Sequence, residues 1–224
     1  MLEQAVKQEL KRYFELMEER PEEFANLDPS IEIELNHDKI IEASNSGMNI
    51  GVVYESPYHL MVVDLIKGEN GCYTYERLIP ASKGTAVVVL LKKENAFGED
   101  EFIFLNQYRH ALRNFEISCP RGFGKDGVSS TENAVKKVRE ETGYEVKTMT
   151  WLGETVADSG VSGIKVAVYF VDVGQKEEDV SKGYHGIEHL LYLPEKEVWE
   201  YISARKITDG FTLSALMLYQ AQKR

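Results

Sequence analysis

Leu2, Val6, Leu10, Phe14 and Met17 recur at helical spacing with Glu and Lys between them, which predicts an amphipathic helix ending before Pro21. From 31 to 41 the alternation Ile31, Ile33, Leu35 reads as a short strand, and the Ser/Asn/Gly stretch 44–49 as a loop. A boundary there separates a helical and strand extension, 1–50, from a domain over 51–224 that begins with an antiparallel β unit. The strands of that unit are 51–58, 60–66 and 72–79, with a turn signal at Gly68-Glu-Asn-Gly71. The run 85–91 is β-branched and aliphatic throughout, the pattern of a strand buried on both faces, and 101–106 is its neighbour across a polar loop. Ser129 with Glu132 three residues on is a capping box, and Ala134, Val135 and Val138 share a face, so a helix spans about 130–142 and stops at Gly143. Strands follow at 148–152, 165–173 and 186–193; Pro194 opens a helix through 205, and 209–222 forms a last one. This order is α+β, with an α/β/α sandwich around a mixed sheet.

Composition narrows the function classes. With 26 Lys and Arg against 37 Asp and Glu the net charge is −11, and no basic cluster offsets it, so a polymeric nucleic acid is not an expected partner. The longest apolar stretch, 86–91, is far short of the about 20 residues a bilayer span needs, and the N-terminus lacks a leader pattern. A cytoplasmic protein without a membrane partner is expected. Cys72 and Cys119 are read as two buried, reduced thiols.

The stretch from Gly122 to Tyr144 resembles the Nudix box, G-x5-E-x7-R-E-U-x-E-E-x-G-U, with Gly122, Val138, Glu140, Glu141, Gly143 and Tyr144 on motif positions. Val128 and Lys137 stand where the motif has Glu, and Lys136 where it has Arg. The setting is similar to the ADP-ribose pyrophosphatase branch of the Nudix hydrolases. Asn106-Gln-Tyr-Arg109, Phe115-Glu116-Ile117 and Pro120-Arg-Gly122 match its Q-Y-R and E-L-P-A-G segments, and Leu152-Gly153, Ser159-Gly-Val-Ser162 and Ile207-Thr-Asp-Gly-Phe-Thr-Leu213 follow in the branch's order. Ile164 stands where the branch carries a further Glu.

The resemblance implies a Nudix fold and a hydrolase cleaving the diphosphate of ADP-ribose or a related nucleotide sugar with Mg2+ or Mn2+. It places the metal on Glu140 and Glu141, with catalysis from these two and Glu188, and substrate binding on Arg109, Arg121, Glu116 and Gly122. It also implies a homodimer paired through N-terminal β segments. Carboxylates at i, i+3 and i+4 of a helix share one face and suit Mg2+ on a diphosphate; here the i position is Lys137, whose ammonium repels a cation and is expected to pair with Glu141. Two readings therefore stand: a hydrolase with a weakened metal site, and a non-catalytic Nudix-fold module that binds a nucleotide or a protein.

Overall fold

Five consecutive aliphatic residues, Val87 to Leu91, are each at most 1% exposed, and a sheet with both faces covered forms around them. In the computed structural model, which describes residues 7–69, 71–179 and 183–223, contacts divide the chain into two units. One comprises the chain up to Ser82 with Asp158–Ile164; the other comprises Lys83–Ala157 with Lys165–Arg224.

The larger unit is built on β5 (Ala86–Glu94), following four strands that belong to the other unit. In this sheet β5 runs parallel to β10 (Val166–Lys176), with Val87 opposite Ala167. It runs antiparallel to β6 (Asp100–Arg109), and β11 (Ile187–Pro194) and β9 (Tyr144–Thr155) lie outermost in the order β11-β6-β5-β10-β9. The short β7 (Asn114–Ser118) pairs with β6, and β8 (Arg121–Gly122) pairs with the start of β5. Alternation sorts the side chains. Val87, Val89 and Leu91 pack with Ala134 and Val138 of α3 (Ser130–Thr142), while α5 (Gly210–Gln222) sets Tyr219 against Phe102 and Phe170, at 5.4 and 4.7 Å between ring centroids. The helix α4 (Glu195–Ser203) packs beside β11 and buries Val198. The α/β/α sandwich with a mixed sheet is therefore present.

α3 begins and ends as its sequence dictates. Ser129 accepts the Glu132 N–H while the Glu132 carboxylate takes the Ser129 N–H, and Gly143, at φ 73°, closes the helix in the left-handed region.

The smaller unit packs α1 (Gln8–Glu19) and α2 (His37–Asn45) with a sheet of β1 (Glu32–Ile33), β2 (Gly51–Glu55), β3 (His59–Gly68) and β4 (Gly71–Pro80). Leu10, Tyr13, Leu16, Ile40, Leu60, Leu65 and Ile79 close its core. Within it the Tyr13 hydroxyl donates to Asp64 Oδ1 at 2.6 Å, and Arg77 Nε donates to Asp64 Oδ2 at 2.5 Å, so the buried carboxylate is both hydrogen-bonded and charge-matched. Residues 158–164 join this unit through the Leu78 N–H on Val161 O, 2.7 Å, and the Tyr75 hydroxyl on Gly160 O, 2.5 Å.

Several expectations change. The strand expected over 31–41 shrinks to Glu32–Ile33, because the Asn36 side chain accepts the Lys39 N–H at 3.1 Å and starts α2, which continues into the expected loop. Val52, Leu60 and Ile79 share one core with α1, and the compact unit they belong to runs on to Ser82. Cys119 is buried but Cys72, on β4, is exposed, and both are free thiols. Leu2, Val6 and Asn70 lie outside the described residues. Among the described residues no helix is long and apolar enough to cross a membrane.

Candidate functional site

The C-terminal half of α3 lies beside β8, and this brings Lys137, Glu140 and Glu141 to Arg121 and Gly122. Lys137 Nζ donates to Glu140 Oε2 at 2.8 Å and stands 3.9 Å from Glu141 Oε1. The pairing expected with Glu141 is present as an ion pair, and a hydrogen bond to Glu140 is added, because the i,i+3 carboxylate comes within hydrogen-bond range and the i,i+4 one does not. Lys136 adds a looser contact to Glu140 at 3.5 Å, whereas Glu132 is committed to the cap. The Lys137 stem crosses Gly122 so closely that a Cβ there would meet its Cε at 2.5 Å. Glycine at 122 therefore makes room for this lysine.

The electrostatics follow from this arrangement. Burial alone would lower the Lys137 ammonium, but the hydrogen bond to Glu140 and the charges of Glu141 and Glu140 outweigh it and hold the group above the usual lysine value. Burial would raise Glu140, and the Lys137 hydrogen bond and charge hold it below the usual carboxylate range. Glu141 is 6% exposed, and burial pushes its carboxyl up to about 7, against the opposing pull of Lys137, the Arg121 N–H and Arg109. The Arg121 N–H donates to Glu141 Oε2 at 3.3 Å.

A second group of charges adjoins the first. Arg121 Nη1 donates to Asp209 Oδ1 at 2.9 Å, and its guanidinium lies over the Phe211 ring. Glu116 accepts from the Thr208 N–H at 2.9 Å, the Asp209 N–H at 3.1 Å and the Thr208 hydroxyl at 3.0 Å. Asp209 Oδ2 in turn caps α5 through the Thr212 N–H. Glu116 thereby fixes Asp209, and Asp209 fixes Arg121. Arg109 Nη2 donates to Ser118 Oγ at 2.9 Å, while its buried Nε has no hydrogen-bond partner among the described residues. Burial first, and then the charge of Arg121, draws the Arg109 guanidinium below its usual value.

Glu188 is exposed, accepting from Asn106 Nδ2 at 2.9 Å with His189 Nδ1 at 3.6 Å. Of the other acidic loop residues, Glu177 pairs with Arg139 and Asp179 with Lys176. Asp209, Thr208, Ser118 and Asn133 carry parts of the arrangement that sequence reasoning did not assign. Thr208 and Asp209 lie in the motif segment 207–213 and had a signal; Asn133, whose amide holds the carbonyls of Phe123 at 3.0 Å and Thr85 at 3.3 Å, had none. Tyr184 lies near Lys137 in the turn before β11, where the His185 carbonyl accepts from Gln107 Nε2 at 2.7 Å.

A divalent cation does not fit this donor set. An ammonium stands between the two carboxylates that would hold it, and among the described residues no group of three or more His, Cys, Asp or Glu is placed to hold a metal.

No family model matches the chain. A methanol dehydrogenase activator from Bacillus methanolicus is 26% identical over 162 residues, covering 72% of this chain and 84% of that protein. Among solved structures, that of an ADP compounds hydrolase aligns with a TM-score of 0.64 at 18% identity, over 78% of this chain and 91% of the other. The likeness is one of fold, and the fold is the Nudix arrangement of helices around a mixed sheet.

Proposed function

We propose that this protein is a Nudix-fold binding module for a nucleoside diphosphate-linked small molecule, ADP-ribose or a nucleotide sugar, and that it is not a Mg2+-dependent hydrolase. The carrying observation is the ion pair of Lys137 with Glu140, with Glu141 alongside, which places a positive charge on the helix face where a metal would need negative charge. Arg109 and Arg121 supply charge-assisted donors for phosphate or ribose oxygens. Glu116 acts as a positioning residue for Asp209 and so for Arg121. A relative named for activating another enzyme is in keeping with a role exercised through binding.

Hydrolysis is the second reading, favoured by one observation. A carboxyl held near 7, as Glu141 is, can accept a proton from water at neutral pH, and such tuning suits a general base. Isothermal titration of ADP-ribose and nucleotide sugars, with and without Mg2+ and with phosphate-ester products followed in the same samples, separates the two. Binding without turnover supports the module; Mg2+-dependent product formation overturns it in favour of the hydrolase.

A further inference from the structure

The ammonium of Lys137 has three N–H donors. Among the described residues one of them is used in a hydrogen bond, to Glu140. The group is held in place on both sides: its stem lies against Gly122, and Glu140 and Glu141 flank its head. A solvated surface lysine would sample many rotamers, but this one is fixed as a point charge with donors to spare. Nearby, the buried Arg109 Nε–H is also without a hydrogen-bond partner among the described residues, and Glu141 feels the charges of both Lys137 and Arg109. Two cationic groups with unfilled donors that converge on one carboxylate describe a place for an anion, not for a cation.

We infer that Lys137 is a built-in cation that takes the part of a divalent metal, so that the site binds the diphosphate of its ligand without any added metal. This rests on the binding function proposed above and adds its mechanism. A metal neutralises diphosphate oxygens by direct coordination and needs carboxylates to hold it. Here the positive charge is part of the chain, and Glu140 and Glu141 hold the lysine instead. Divalent cations therefore do not assist binding. They oppose it, because Mg2+ on the diphosphate lowers the charge that Lys137 and Arg109 attract.

The test is calorimetric titration of the whole 224-residue chain with ADP-ribose in EDTA and again in Mg2+, for wild type, Lys137→Met and Lys137→Glu, together with titration of Mn2+ alone. Expected are wild-type binding in EDTA that Mg2+ does not tighten, and affinity at least tenfold weaker in EDTA for Lys137→Met. Mn2+ binding should be present in Lys137→Glu, which has three carboxylates on one face, and absent in wild type. Wild-type binding that requires Mg2+, or Mn2+ binding as tight in wild type as in Lys137→Glu, overturns the inference without any need for Lys137→Met to fold. Equal affinity of wild type and a folded Lys137→Met in EDTA overturns it as well while leaving the binding function intact. Absence of wild-type binding under every condition overturns the binding function itself, and the inference with it.

Discussion

Replacing Glu141 with Gln isolates the effect of one buried carboxyl on stability. The folded protein holds this group near 7 and the unfolded chain near 4.5, chiefly through burial. Between those values the native state binds a proton that the unfolded state releases, so the stability of the wild type falls as pH rises. The gap is worth about 3 kcal/mol in full, at 1.36 kcal/mol per unit, and about 2.5 kcal/mol of it is lost between pH 5 and pH 8. Gln keeps the shape and an acceptor for the Arg121 N–H but cannot ionise, so that loss should vanish in Glu141→Gln. Urea unfolding of both proteins at the two pH values measures it, and subtraction cancels the groups that titrate independently of Glu141. Parallel pH dependences in wild type and variant would refute the reasoning, since they would mean that Lys137 and the Arg121 N–H fully offset the burial of the carboxyl.

Asn133→Ala should cost about 1–3 kcal/mol in thermal unfolding, because the carbonyls of Phe123 and Thr85 lose their shared donor; an unchanged melting temperature would count against that role. Tyr13→Phe should cost about 1.5–3 kcal/mol, the worth of a hydrogen bond to a buried charge, read by denaturant unfolding, and a neutral result would mean that Arg77 alone satisfies Asp64. A homodimer through the N-terminal β segments is expected in light scattering, and a monomer at micromolar concentration would end that expectation.

What was legible in the sequence was whatever local chemistry fixes by itself. The capping box of Ser129 and Glu132, the left-handed Gly143 and the unbroken aliphatic run at 87–91 each specify their structure without help from elsewhere. The helix at His37–Asn45 was missed because its signal is a single Asn cap, weaker to the eye than the alternation of Ile31, Ile33 and Leu35 before it. In the site, the ammonium on the helix face where the motif has a carboxylate was readable from Lys137. Its preference for Glu140 over Glu141 was not, because that depends on how the stem is steered across Gly122. Glu116 and Asp209 lie 93 residues apart in the chain, and only the folded sheet and α5 bring them together.

The loop between Gly122 and α3 is pinned largely through backbone and through Asn133. Gly124 lies directly on the backbone of Gly84, and Gly84 on that of Lys125, so neither has room for a side chain, while Asn133 ties the loop from the helix side. Val128 enters that clamp through its backbone N–H, which donates to Lys125 O at 3.1 Å, and Lys137 only borders the loop, at Gly122. The form of this segment and its reactivity are thus written in separate sets of letters. A few side-chain exchanges on α3 can therefore reprogram what the segment attracts while its backbone keeps the same path.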